Sequence, residues 1–191
     1  MIRAFVAFKI NPETVENIAA ARAQLKRHLP GVRWVAKENI HVTLKFLGEI
    51  DEAQIAPITR ALEGAIRPFP RLTINAKGLG VFPDEKRPRI LWVGLQGSRL
   101  SALAPAVEKA LEPVGFLSEK RGFAPHLTIG RWRQFQGSKA ELEKQIEQWK
   151  NYDFGETSVH EVILYQSILK PEGAVHRPLQ VIRFADQSPR I

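Results

Sequence analysis

The strongest constraint on this chain is a short pattern that it carries twice. His41-Val42-Thr43-Leu44 stands in the first half and His126-Leu127-Thr128-Ile129 in the second. On a strand, side chains at i and i+2 share a face. His41 and Thr43 therefore point one way, while Val42 and Leu44 point into a core. His126 and Thr128 repeat the arrangement, with Leu127 and Ile129 behind them. A lone His-x-Thr is an ordinary strand pair. Two copies, each backed by apolar residues and set at the same place in a recurring strand–helix order, predict a duplicated unit. Its halves face one another across a pseudo-twofold axis.

The surrounding periodicity supports that order. Residues 2–10 alternate as a strand. Asn11 caps a helix that opens with Pro12, presents Val15, Ile18, Leu25 and Leu29, and stops at Pro30-Gly31. Strands are predicted over 32–36 and 40–47, then a helix from Asp51 with Ile55, Ile58, Leu62 and Ile66 on one face. Strands over 71–82 and 89–95 flank a charged, proline-rich loop. Gly78-Leu79-Gly80 within the first of them reads as a turn or bulge. The pattern then recurs. It gives a helix from Ser101 ended by Gly115, a strand over 125–131, a helix capped by Ser138, and strands over 157–169 and 179–184. Paired strands with helices between the pairs predict an α+β fold of two small, largely antiparallel sheets. No linker-like stretch divides residues 1–191, so a single bilobal domain is expected.

Composition narrows the function classes. The 191 residues are 44% hydrophobic and 25% charged, as in a globular protein rather than a disordered chain. No apolar run reaches the roughly 20 residues of a membrane span, and the opening residues lack the apolar core of a signal peptide. No membrane partner is expected, and a cytoplasmic location is. Cysteine is absent, which excludes disulfides, thiolate catalysis and zinc–thiolate sites. A net charge of +8 favours polyanionic partners such as nucleic acid. Basic residues cluster at Lys26-Arg27-His28, where they complement a helix end. They recur at Lys86-Arg87-Pro88-Arg89 and at Lys120-Arg121 with Arg131 and Arg133.

Two facing imidazoles suit acid–base catalysis, because one can be neutral and one protonated near neutral pH. Displacement at phosphorus matches them best. One histidine removes a proton from the attacking oxygen, the other gives a proton to the leaving oxygen, and the threonine hydroxyls donate to the non-bridging oxygens. This chemistry needs no cofactor and no metal. A two-histidine metal site stays open as an alternative, as does a non-catalytic RNA-binding module. Gly-x-Ser-x-Gly, phosphate-cradling glycine loops and His-Glu-x-x-His are absent. His28, His160 and His176 read as structural histidines.

Paired His-x-Thr motifs resemble the 2H phosphoesterase superfamily, and within it the RNA 2′,3′-cyclic phosphodiesterases, historically called 2′-5′ RNA ligases. The resemblance runs along nearly the whole chain. It includes Arg3-Ala4-Phe5-Val6-Ala7, the segment from His41 to Gly48, and Val81-Phe82-Pro83. It continues through Arg87 to Gly94, Phe123 to Arg131, Ser167-Ile168-Leu169 and Gly173-Ala174. It implies a bilobal sandwich with helices outside and a central cleft, and hydrolysis of an RNA-terminal 2′,3′-cyclic phosphate to a 2′-phosphate. His41 would be the proton donor, His126 the proton acceptor, and Thr43 and Thr128 the phosphate-binding pair. It also implies 2′-5′ joining without ATP, with an RNA 5′-hydroxyl in place of water. Substrates would be RNA ends, of tRNA or other RNA, and cyclic-phosphate nucleotides; an enzyme for another cyclic or 2′-5′-linked nucleotide is the alternative. No obligate protein partner is expected. His176 stands where this resemblance leads one to expect tyrosine. Candidate RNA contacts are Arg131, Lys86, Arg87 and Arg89, with Phe5, Phe46, Phe123, Trp132 and Tyr165 as base-stacking aromatics and Phe123 foremost. Strand parity puts Lys45 on the histidine face and Arg131 on the other, unless a break at Gly130 turns Arg131 inward.

Overall fold

A computed structural model describes residues 1–119, 122–171 and 173–185. Lys120 and Arg121 lie outside the described residues. The elements run β1 (Ile2–Lys9), α1 (Pro12–Leu25), β2 (Arg33–Trp34), β3 (His41–Ile50), α2 (Ile55–Ile66), β4 (Leu72–Phe82), β5 (Ile90–Gln96), α3 (Leu100–Leu111), β6 (His126–Arg131), α4 (Lys139–Trp149), β7 (Asp153–Val159), β8 (Glu161–Lys170) and β9 (Gly173–Arg183). Two antiparallel sheets result. One has the order β3-β1-β8-β9 and the other β2-β6-β5-β4-β7. Helices α2 and α3 lie on the four-stranded sheet, α1 and α4 on the five-stranded one.

Local chemistry sets most element ends. The Asn11 side-chain oxygen accepts the Thr14 N–H at 2.8 Å, and its amide nitrogen donates to the Glu156 carbonyl at 2.6 Å. One residue thus starts α1 and fastens it to β7. Ser138 caps α4 by accepting the Glu141 N–H at 3.3 Å. Before α2, Asp51 and Gln54 form a capping box around a short 3-10 turn, so the α-helix proper begins at Ile55. Gly78 has φ of +74° and sits at a bulge in β4, as its sequence context predicts.

One strand boundary differs from the expectation. Residues 157–169 are not one strand: β7 ends at Val159 in the five-stranded sheet, and β8 begins at Glu161 in the four-stranded one. The chain crosses between sheets at His160. Val159 and Val162 are buried on either side, with exposed His160 and half-buried Glu161 between them, and no glycine or proline marks the crossing.

The motif strands share a further feature. In β3, Thr43 pairs with Ala7 and Lys45 with Val6, which leaves Leu44 as an extra residue. In β6, Thr128 pairs with Trp92 and Gly130 with Leu91, which leaves Ile129 as the extra residue. A bulge at the same place in each motif reverses the inside–outside alternation beyond it. Both six-residue segments consequently show one burial sequence: two half-buried motif residues, each followed by a buried one, then a second buried residue and an exposed one.

Lys45 therefore does not lie on the histidine face. It is 3% exposed on the helix side of its sheet, where its ammonium meets Glu108 Oε1 of α3 at 3.3 Å and donates to the Leu117 carbonyl at 2.8 Å. Glu108 also accepts the Glu119 N–H at 2.7 Å. This buried pair fixes the first motif strand to the chain after α3. Removing one partner strands the other, so Lys45→Met should cost about 2–3 kcal/mol of stability in urea unfolding, as for loss of a charged hydrogen-bond partner. The double variant Lys45→Met/Glu108→Gln should recover part of that loss. An unchanged midpoint in the single variant would show that the pair contributes nothing.

Candidate active site

Each motif histidine is held in the same way. His41 Nδ1–H donates to the Asn39 carbonyl at 2.8 Å, and His126 Nδ1–H donates to the Ala124 carbonyl at 2.7 Å. A carbonyl only accepts, so Nδ1 carries the hydrogen and Nε2 of each ring is free for proton chemistry. The Thr43 hydroxyl lies 3.1 Å from His41 Nε2. An aromatic ring braces each imidazole. The Phe5 centroid is 5.0 Å from His41, and the Phe82 ring meets His126 edge-on at 5.0 Å. Phe82 in turn contacts Trp92, which lies across Gly80, where a Cβ would come within 2.1 Å of the indole.

The bulge at Ile129 resolves the placement of Arg131. It pairs with Ile90 beyond the register shift and turns onto the face of His126 and Thr128. Partial desolvation lowers the proton affinity of its guanidinium, and its charge in turn disfavours protonation of both histidines. His126, from the other sheet, also disfavours protonation of His41. The cleft thus gathers His41, Thr43, His126, Thr128 and Arg131.

A third imidazole joins them. His176 of β9 meets His41 edge-on at 5.0 Å and Phe5 at 4.9 Å. Together with Lys9, Glu38, Tyr165 and Pro178, the two histidines line a cavity of about 50 Å³. Sequence alone reads His176 as a structural residue. Its approach to His41 depends on the pairing of β9 with β8 and of β8 with β1, which no local signal records. Asn39 ties the two segments, since its side-chain amide donates to the Ala174 carbonyl at 2.6 Å. A larger open groove of about 420 Å³ between α2 and β9 contains none of these residues.

The other candidates separate by exposure. Phe5 and Tyr165 are each 3% exposed and stack on one another, so neither offers a free face to a base. The Tyr165 hydroxyl, pushed up to about 12 by burial and by Glu161, has no hydrogen-bond partner among the described residues. Trp132 belongs to the main core, and Phe123 is half-buried against it. Phe46 is exposed on the cleft side. Lys86 and Arg87 are exposed in the loop after Phe82, where Asp84 accepts both of their backbone N–H groups. The Arg89 guanidinium bonds the Arg133 carbonyl. Among the described residues, no group of three or more histidines and carboxylates is placed to hold a metal. No described helix is long and apolar enough to cross a membrane.

The chain is similar to known proteins over most of its length. A family model described as LigT-like phosphoesterase matches residues 8–92. The chain is 36% identical over 179 residues to an RNA 2′,3′-cyclic phosphodiesterase of Methanocaldococcus jannaschii, covering 94% of this chain and 99% of the relative. It is 34% identical over 186 residues to one from Thermotoga maritima, covering 96% of each. The crystal structure of Escherichia coli LigT complexed with 3′-AMP superposes with a TM-score of 0.77 at 27% identity, covering 96% of this chain and 98% of that one.

Burial first, and then the neighbouring His176, Arg131 and His126, hold His41 down to about 4; its bond to Asn39 opposes them. An unfolded His41 takes its proton near pH 6.5. Its share of stability is therefore present above about pH 6.5 and is lost as pH falls toward 4. In His176→Phe an aromatic ring remains but the neighbouring cation is gone. NMR titration of the imidazole should then show the His41 midpoint raised, though still below the free value because burial persists. The midpoint of His126, which His176 does not affect, should stay in place. A His41 titration unchanged by His176→Phe would contradict this electrostatic contact.

Proposed function

The chain belongs to the LigT-like phosphoesterases of the 2H superfamily, and from that premise we propose that it is an RNA 2′,3′-cyclic phosphodiesterase whose two motif histidines carry the proton transfers. The observation that carries this reading is the pair of imidazoles from opposite sheets. Each is fixed by a carbonyl bond at Nδ1 and has a threonine two residues on along its strand.

The cyclic phosphate lies between the motif strands. Neutral His126 takes a proton from water as the water oxygen bonds to phosphorus. The bond from phosphorus to the 3′ oxygen breaks in line, and His41 donates its Nε2 proton to that oxygen. The product is a 2′-phosphate with a free 3′-hydroxyl, and a proton has passed from His41 to His126 by way of the reaction. Exchange with solvent restores both. Thr43, Thr128 and the Arg131 guanidinium stabilise the charge on the non-bridging oxygens.

The lowered proton affinity of His41 fits this scheme. In the free site three cationic or potentially cationic groups oppose its protonation. An anionic phosphate offsets them, so His41 gains its proton together with substrate and is in its acid form where one is needed. With an RNA 5′-hydroxyl in place of water, the same displacement forms a 2′-5′ bond. Lys86 and Arg87, exposed beside the second motif, suit phosphates further along an RNA strand. We further read residues 1–191 as one bilobal domain with one motif in each half.

The test is turnover of an RNA ending in 2′,3′-cyclic phosphate, with EDTA present. His41→Ala and His126→Ala should each lower kcat by at least about 100-fold while the fold survives. Near-normal turnover in either would remove that residue from the mechanism. Loss of wild-type activity in EDTA, restored by a divalent ion, would favour a two-histidine metal site instead. Thr43→Val and Thr128→Val keep shape and strand preference. Each should weaken transition-state stabilisation by roughly 2–4 kcal/mol, as for loss of one oxyanion donor. Wild-type kcat/KM in both would separate the hydroxyls from the phosphate.

A further inference from the structure

Beyond its bulge, the second motif strand runs beside the short edge strand β2. Arg33 is the register partner of Arg131, and Trp34 is the partner of Gly130. Val32 and Trp34 pack against the core, and a Cβ at Gly130 would meet Val32 Cγ1 at 2.5 Å and Trp34 Cε3 at 3.6 Å. Side chains alternate along a strand, so Arg33, between those two, stands on the opposite face. That face is the one that carries Arg131. Two exposed arginines are thereby set directly across from one another at the edge of the site. Like charges so placed are destabilising. A charge on an edge strand commonly serves to block strand pairing, but that role gives no reason to set it opposite another cation. Nearby cations have acceptors. Arg22 donates to the Val35 carbonyl at 2.8 Å, Lys37 pairs with Glu16 at 2.6 Å, and Arg89 bonds the Arg133 carbonyl. Among the described residues, neither Arg33 nor Arg131 has a carboxylate or a hydrogen-bond partner.

A pair of unpartnered guanidiniums is matched by a pair of anions. The reacting phosphate accounts for Arg131. Arg33 stands one strand further out, with opposite Cα atoms roughly 5 Å apart. Its side chain is long enough to serve a different phosphate on the same strand of nucleic acid. A ribose with a 2′,3′-cyclic phosphate carries a second phosphate, on its 5′ oxygen, when it ends a chain, and carries none when it is a free cyclic nucleoside phosphate. We propose that Arg33 binds the phosphodiester on the 5′ side of the terminal nucleotide. The inference rests on the cyclic-phosphodiesterase reading and deepens it. Two successive phosphates on two opposed arginines relieve the repulsion between them, through charge-assisted hydrogen bonds to each. The pair then selects ends of RNA over free cyclic nucleotides, with the outer arginine reading the chain and the inner one the reacting group.

The experiment compares two substrates that differ only in that phosphate: adenosine 2′,3′-cyclic phosphate, and the same compound carrying a methyl phosphodiester on its 5′ oxygen. The quantity read is the ratio of their kcat/KM values, which does not depend on the fraction of folded enzyme. The wild type should prefer the 5′-esterified substrate. Arg33→Gln should lower that preference by roughly 10- to 100-fold, mainly through KM, as for loss of a charged hydrogen bond. Arg33→Lys should keep part of it, because the charge remains while the forked geometry is lost. A wild type without the preference, or an unchanged ratio in Arg33→Gln, would overturn the proposal. Calorimetric binding of adenosine 2′-phosphate, with and without the 5′ methyl phosphodiester, makes the same comparison without turnover. A wild type that hydrolyses neither substrate would defeat the functional reading alone. The binding ratio would then still decide the role of Arg33: a ratio lowered in Arg33→Gln supports it, and an unchanged ratio, or binding of neither compound, overturns it.

Discussion

The architecture of the site depends on one constraint of the β-strand: residues that alternate must serve two surfaces at once. Val42 and Leu44 are buried behind His41 and Thr43, as Leu127 and Ile129 are behind His126 and Thr128. Their burial fixes the register, because a one-residue slip would exchange core and cleft. The imidazoles gain their orientation from the same backbone. Each Nδ1–H bonds a carbonyl two residues earlier, so strand geometry sets ring position and tautomer together. The rigidity of two motif strands is thereby passed to two Nε2 atoms, which is what proton transfer at a fixed phosphorus requires.

The bulges add what plain strands could not. Without the extra residue at Ile129, Arg131 would point toward the core, where an unpaired guanidinium is costly. Without the one at Leu44, Lys45 would enter the cleft and Phe46 the interior. The bulge sends each to the side where its chemistry is satisfied, Lys45 to Glu108 and Phe46 to the cleft. A symmetric pair of motif strands thus carries an asymmetric pair of flanking side chains. His176 adds to the asymmetry, since it approaches His41 and, among the described residues, has no counterpart in the ring contacts of His126.

Much of this is legible in the residues. The His-x-Thr pairs, the face each presents, the Asn11 and Ser138 caps and the bulge at Gly78 all follow from local rules, and the structure has them. What local rules miss is what pairing decides. The bulge at Leu44 carries no glycine, so parity alone misplaces Lys45. No glycine or proline marks the crossing at His160, so two strands of different sheets read as one. His176 reaches His41 only through β8 and β1, across more than a hundred residues of chain. The fate of the aromatics depends on coverage, which composition does not reveal. Tyr165 and Phe5 cover one another, and Phe46 is left open.

The central claim is that water attacks phosphorus directly, with one imidazole on the side of entry and the other on the side of departure. Its most direct test is the stereochemical course at phosphorus. A single diastereomer of a nucleoside 2′,3′-cyclic phosphorothioate, hydrolysed in isotopically labelled water, gives a chiral 2′-phosphorothioate whose configuration can be determined. One in-line displacement between His41 and His126 predicts inversion. Retention would mean two displacements through a covalent phosphohistidine, and it would contradict the acid and base roles of both residues.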